Sequence, residues 1–354
     1  MKAAKTILSA VLLLCLLLTS CGQPDTPSEP DSREITDMAG RTLTVPAEIK
    51  SVFPSDPTAA IYLYTAAPDK LLGWNYELND VEKSIILEEY HALPNFGMGD
   101  SINYEAVIAA GPGIVLQVSG SSAGDIDQAD QLSESLGIPV VVVSDQLMDV
   151  PAVYRFMEEI LGVEEQAEAL AAYAEDTFQD AAALEIPEEE RVRLYYGNKE
   201  DSLETVPAGS LHGQVLDLAG AVNVAEVELD SGSRVRVSLE QLLAWDPDVM
   251  VVNGEPKANL SGSAAAEGIL SNPDLSTLKA VQKGAVYGTP NAPFSWIERP
   301  PGPNRIIGVR WLSGLLYPDY VTYDIDGEVR EFFRLFYHVE LSDGQLEKLY
   351  RGEM

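Results

Sequence analysis

Two continuous apolar runs, Gly113 to Val118 and Ile138 to Val143, are separated by a helical stretch from Asp125 to Leu136. Runs of this kind suit strands buried on both faces, which occur in parallel sheets covered by helices. Strand–helix–strand order therefore commits this part of the chain to an α/β fold. Upstream, Arg41–Pro46, Lys50–Phe53 and Lys70–Gly73 read as short strands, and Thr58–Ala67 and Asn103–Ala110 as helices. Then the pattern changes. Pro151–Leu161 is helical, with Pro in its first turn and Gly162 just past its end. Glu164 to Leu184, rich in Ala and Glu, continues as a second helix until Pro187. Its roughly 21 residues span about 30 Å without a turn signal, which makes it a stiff connector. A second α/β block follows, with strands at Arg191–Tyr196, Val249–Val252 and Ala285–Tyr287. Its helices are expected at Ser210–Ala219, Ser238–Ala244, Asn304–Leu316, Glu328–His338 and Asp343–Tyr350.

The first 21 residues do not belong to that fold. Lys2 and Lys5 precede an apolar run, Ile7 to Leu18, too short to span a bilayer. The run ends Leu18-Thr19-Ser20-Cys21, which resembles a bacterial lipobox; the resemblance implies cleavage before Cys21 and lipidation of its thiol. Residues 22–33, GQPDTPSEPDSR, read as a polar Pro-rich tether. The only two cysteines, Cys15 and Cys21, lie in this leader, so the folded body holds no disulfide, thiolate metal site or cysteine nucleophile. Removing residues 1–20 removes two lysines and no acid, taking the net charge from -33 to -35. A phosphate backbone needs a basic face, so nucleic acid is excluded as a partner. An exported, tethered, extracytoplasmic monomer is expected, with the membrane reached through lipid on Cys21 and no cofactor.

The two blocks share an imperfect repeat. Asn103-Tyr104-Glu105-Ala106-Val107-Ile108-Ala109-Ala110-Gly111-Pro112-Gly113-Ile114-Val115 aligns with Ser238-Leu239-Glu240-Gln241-Leu242-Leu243-Ala244-Trp245-Asp246-Pro247-Asp248-Val249-Met250. Each copy has a polar helix start, a Glu in the first turn, an apolar stripe, a Pro and a buried strand. The second copy, the opening Ile35-Thr36-Asp37-Met38-Ala39-Gly40-Arg41-Thr42-Leu43-Thr44-Val45-Pro46, and the later Ala280–Tyr287 and Trp311–Pro318 together resemble the iron-complex and vitamin B12 substrate-binding proteins of ABC importers. The resemblance covers the chain from about residue 34 to the end. One departure is Gly113, where the family usually has Asp before the strand. The resemblance implies two Rossmann-like α/β lobes joined by one long helix, with ligand in the cleft between them. It also implies that Glu105 and Glu240, one per lobe, dock on arginine pockets of the transmembrane permease. The expected organisation is a signal peptide over 1–20, Cys21 and tether over 21–33, a first lobe over 34–150, connecting helices over 151–186 and a second lobe over 187–354.

Ligands in such clefts meet loops at the carboxyl ends of strands. Those loops nominate Ser55, Trp74, Tyr76, Met98, Ser119 and Ser121 in the first lobe, and Tyr196, His212, Trp296 and Arg299 in the second. Trp74, Tyr76, Tyr196 and Trp296 are placed to stack on an organic chelator or a corrin, or else to pack the wall. Between Lys83 and Arg155 there is no Lys or Arg, so the first lobe has few cations to offer an anionic ligand. The second has Arg234, Arg236, Lys257 and Arg299, the last in a proline-stiffened loop beside Glu298. His91, His212 and His338 are scattered without ligand spacing, so no direct metal site is expected. The cargo expected is a ferric siderophore-type complex, with a corrinoid, heme, molybdate or tungstate as alternatives. A rival of another class comes from Gly120-Ser121-Ser122-Ala123-Gly124, which fits G-x-S-x-G between a strand and a helix and would make Ser122 the nucleophile of a secreted hydrolase. The long central helix has no place in that fold, and an enzyme is not expected.

Overall fold

A computed structural model describes residues 32–228, 232–254 and 260–353. Cys21, the leader and most of the tether lie outside the described residues. The chain enters through a hairpin, β1 (Ser32–Thr36) and β2 (Thr42–Pro46), whose turn is the Asp37–Arg41 motif. Asp37 accepts from the backbone N–H groups of Ala39 and Arg41 and from Val142 N–H, while Arg41 donates to Asp37 at 2.6 Å and to the Val140 carbonyl at 2.6 Å. The opening motif therefore pins the hairpin to the first lobe. Ser32 and Arg33, expected in the tether, are the first residues of β1. Arg33 donates to the carbonyls of Glu159 and Ile160, a long-range anchor that a polar, Pro-flanked stretch does not advertise.

The first lobe is a parallel sheet ordered β3 (Val52–Pro54), β4 (Ile114–Ser119), β5 (Val140–Ser144). Its helices are α1 (Pro57–Ala66), α2 (Tyr104–Ala110) and α3 (Ala123–Leu136). Lys70–Gly73 is not a strand; only Leu71 bridges Val52, because Pro68–Lys70 closes into a 3₁₀ turn. Two helices follow, α4 (Val150–Leu161) and the connector α5 (Glu164–Ala182), separated where Gly162 takes φ 71. The second lobe is a parallel sheet ordered β11 (Val286–Gly288), β10 (Val249–Val252), β6 (Arg193–Gly197), β8 (Val222–Asn223), beside a small hairpin of β7 (Glu204–Thr205) and β9 (Val235–Arg236). Around it lie α6 (Gln214–Leu218), α7 (Leu239–Trp245), α8 (Gly262–Ser271), α9 (Asn304–Leu316), α10 (Ile325–Phe336) and α11 (Asp343–Tyr350). Helix α8 has no counterpart among the sequence expectations, since its Gly- and Ala-rich segment carries little periodic signal.

The repeat has the same local geometry twice. Asn103 and Ser238 cap α2 and α7 by accepting from Ala106 N–H and Gln241 N–H, each at 3.1 Å, and both helices end in a left-handed residue, Gly111 and Asp246. Gly113 N–H donates to Ser51 O just as Asp248 N–H donates to Arg193 O, so the turn survives the missing Asp side chain.

One apolar core runs through both lobes, and the connector is packed into it rather than exposed. Gln166 of α5 donates to the carbonyls of Thr65 in α1 and Leu335 in α10. Buried Arg310 of α9 donates to Thr177 at 2.8 Å and pairs with Asp180 at 2.6 Å, both on α5. Helix α10 follows the second sheet in the chain yet packs back on α4 and the first lobe: Phe336 meets Tyr154 of α4, and Tyr337, just past its end, meets Tyr64 of α1. At the floor between the lobes, fully buried Arg305 donates to Asp145 O of the first lobe and to Leu211 O of the second. A joint tied this often does not hinge like a Gly-rich linker.

Candidate functional site

The inter-lobe cleft holds a cavity of about 590 Å³. Both lobes line it, at the carboxyl ends of their strands. A second cavity, about 670 Å³, lies on the outer flank of the second lobe, walled by Leu270, Tyr287 and Trp311. It touches one lobe only, so the smaller inter-lobe cavity is the candidate site.

On the first-lobe wall stand Asp56, Tyr76, Glu82, Met98 and Val118. Asp56 caps α1, accepting from Ala59 N–H at 2.9 Å and Val118 N–H at 3.0 Å. Burial pushes its carboxyl pKa up, against the pull of those bonds. Tyr76 donates to Glu82 at 2.9 Å, and both burial and that carboxylate drive the phenol's pKa up. Glu82 also accepts from Asn79 N–H at 2.7 Å in a capping box.

The second-lobe wall carries the cations Lys199, Arg234 and Arg299, with His212 beside them. Its organising group is Glu298, which is fully buried. Arg234 binds it bidentately, with Nε at 2.8 and 3.0 Å and Nη2 at 2.6 Å. Arg299 Nε lies 3.3 Å from the same carboxylate and its guanidinium also donates to Ser233. His212 Nδ1 is 3.4 Å away. Burial first, then Arg299, Arg305 and Arg234, push the His212 pKa down to about 4, so its ring is neutral at physiological pH. Glu298 thus holds both arginines at the wall, and Arg234 also reaches Glu204 at 4.0 Å.

Of the sequence candidates, Tyr76, Met98, His212 and Arg299 line this cavity. The other six do not. Trp74 is buried, donates to Tyr90 O at 2.8 Å and packs on Tyr64. Trp296 is fully buried against Trp311 and Phe333, and donates to Ala292 O. Tyr196 lies inside the second lobe at 0% exposure. Large rings beside strand ends complete the core here, the packing alternative to stacking. Ser55 is buried and donates to Leu116 O, half-buried Ser119 donates to Gly120 O, and Ser121 is exposed away from the cavity. Arg234, Asn198, Asn253 and Glu298 complete the site; the first three lie in segments the sequence brings to strand ends or marks as cationic, but nothing local marks Glu298 as their hub.

Ser122 is the N-cap of α3: its Oγ accepts from Asp125 N–H and donates to the Asp125 carboxylate at 2.6 Å. Its φ of -67 is relaxed, unlike a strained nucleophile elbow. His91 contacts Ile86 O and His338 contacts Tyr64 O, which leaves both engaged elsewhere. Among the described residues no group of three or more His, Cys, Asp or Glu is arranged to hold a metal ion. Glu105 and Glu240 are both exposed in the first turns of α2 and α7.

Two α/β lobes, a packed helical connector and a charged cleft between them define the architecture of a bilobed solute-binding protein. The periplasmic binding protein family model matches residues 64–293, and the chain belongs to that family. The chain is 25% identical over 342 residues to an uncharacterized ABC transporter substrate-binding lipoprotein, YvrC, from Bacillus subtilis, covering 90% of this chain and 99% of that protein. A solved ABC transporter solute binding protein from Sulfurospirillum deleyianum is 28% identical, with a TM-score of 0.80 over 90% of this chain and 99% of its own. The molybdate periplasmic binding protein MolA from Haemophilus influenzae, solved with molybdate, shares the fold at 23% identity, with a TM-score of 0.69 over 88% of this chain and 99% of its own. The role is that of the extracytoplasmic substrate-binding component of an ABC importer.

Proposed function

We propose that the protein captures an anionic ferric chelate in the inter-lobe cleft and delivers it to the permease while tethered to the membrane by lipid on Cys21. The observation that carries this reading is the arrangement of Arg234 and Arg299 on one buried carboxylate at the cleft wall. Two guanidiniums held by Glu298 present fixed donors to an anion. Tyr76, Met98 and His212 supply the half-apolar remainder of the wall. A cavity of about 590 Å³ suits an organic chelate. The burial of Trp74, Tyr196 and Trp296 leaves a corrin or heme without the broad platforms it would use. A bare oxyanion such as molybdate or tungstate is the second reading, favoured by the same arginines. Titration calorimetry with ferric citrate, molybdate and cyanocobalamin separates the three. The ferric reading requires binding of the iron complex that Arg299→Gln weakens; binding of molybdate alone would replace it.

Delivery rests on Glu105 and Glu240, two exposed acids in geometrically matched helices on rigidly joined lobes. Glu105→Arg with Glu240→Arg should keep ligand affinity and folding and abolish uptake; surviving uptake would reduce both to helix-end acids. Cys21→Ala should remove the protein from the lipid-labelled membrane fraction.

A further inference from the structure

Asn198 and Asn253 follow β6 and β10, adjacent strands of the second sheet. Backbone bonds fix both: Asn198 N–H donates to Glu204 O at 2.7 Å and Asn253 N–H to Gly197 O at 2.8 Å. Their carboxamides meet, with Asn253 Nδ2 donating to Asn198 Oδ1 at 3.2 Å. That bond spends one donor and one acceptor and leaves Asn198 Nδ2 and Asn253 Oδ1 without a partner. Both residues line the cavity, yet Asn198 is 1% and Asn253 8% exposed. Buried polar groups are nearly always paired, so two adjacent unpaired atoms at one cavity wall call for an explanation.

The surrounding backbone is tightly packed, and the turn after Asn198 is strained. A Cβ on Gly197 would lie 2.7 Å from the Ser202 Cβ, and one on Gly254 would lie 2.5 Å from Leu260 O. Lys199 and Ser202, neither of them glycine, take φ 69 and φ 52 in the turn after Asn198. Strain and unpaired polar atoms accumulate where a ligand completes the structure.

We infer that Asn198 and Asn253 form a subsite that reads an amide group of the cargo. The ligand carbonyl accepts from Asn198 Nδ2, and the ligand N–H donates to Asn253 Oδ1. This rests on the ferric-chelate reading and narrows it to chelates whose arms are joined through amides. The arginines attract any anionic complex; the asparagines discriminate, because a site built to hydrogen-bond a group rejects an analogue that lacks it.

The test compares ferric citrate with the ferric complex of a citrate carrying two hydroxamate arms attached through amides. Both are anionic iron chelates, and only the second carries the amides. Calorimetry on the wild-type protein should give about tenfold or more tighter binding of the amide-bearing chelate. Asn198→Asp and Asn253→Leu should each cut that preference by about 3- to 10-fold. Arg299→Gln should weaken both chelates in parallel and keep their ratio. Equal affinities in the wild type, or an unchanged ratio in both asparagine variants, overturns the inference and leaves the ferric reading standing. The wild-type ratio needs no variant to fold. If neither chelate binds, the ferric reading and the inference fall together.

Discussion

Replacing Glu298 by Gln tests the charge design of the cleft, because two effects of opposite sign follow from one atom. Glu298 is fully buried and takes three short contacts from Arg234, between 2.6 and 3.0 Å. At about 3 Å and an effective dielectric of about 20, the attraction is roughly 5 kcal/mol. Desolvation offsets much of that, but removing one partner of a buried pair still costs about 3–5 kcal/mol. The Arg234 side chain is 18% exposed and borders the cavity, so it recovers some hydration; Arg299, at 54%, recovers more. A loss of about 2–3 kcal/mol is expected, a fall of roughly 3–5 °C in the melting midpoint for a chain of this size. Affinity should move the other way. The variant removes a negative charge from beside the anion, and at about 7 Å in a half-wet cleft that is worth about 1 kcal/mol, roughly fivefold in Kd. The gain should shrink as salt is raised. Melting curves and calorimetry with ferric citrate at two ionic strengths measure both. A folded Glu298→Gln protein that binds the anion more weakly would refute the arrangement, since the arginines would then need Glu298 for position more than they suffer from its charge.

Three further outcomes follow from other parts of the molecule. A Cβ on Gly308 of α9 would fall 1.7 Å from Trp296 O, so Gly308→Ala should cost about 3 kcal/mol, and an unchanged melting midpoint would show that α9 can shift away. His212 has a folded pKa of about 4, below its unfolded value, so the unfolded chain binds more protons between about pH 6.5 and 4; stability should fall as pH drops through that window, and His212→Gln should flatten part of the fall. Because the connector α5 is tied to α1, α9 and α10, ligand should change the radius of gyration in solution scattering only slightly, and a large contraction would contradict the packed joint.

The sheets were legible because their signals are local. Continuous apolar runs place β4, β5 and β10, and capping residues place the starts of α2, α3 and α7 within a residue or two. What stayed hidden depends on distant partners. β1 is polar and becomes a strand only because β2 pairs with it and Arg33 reaches the end of α4. Helix α10 reads as part of the second lobe, yet its aromatic face is buried by α1, α4 and α5, residues more than a hundred positions away.

The site divides in the same way, and the division explains which expectations held. Topology puts certain loops at strand ends, and that much follows from strand order alone. Whether a ring in such a loop faces ligand or core is decided by what packs behind it: Trp296 is drawn inward by Trp311 and Phe333, whereas Tyr76 is kept at the cavity by its bond to Glu82. Charge is different, because a lobe that contains no cation in a segment cannot present one from it. The gap from Lys83 to Arg155 leaves the first-lobe wall with Asp56 and Glu82, while Lys199, Arg234 and Arg299 stand opposite. The cleft is therefore polarised from one lobe to the other, and an anionic ligand must take its charge contacts from the second lobe while the first supplies hydrogen bonds and apolar surface.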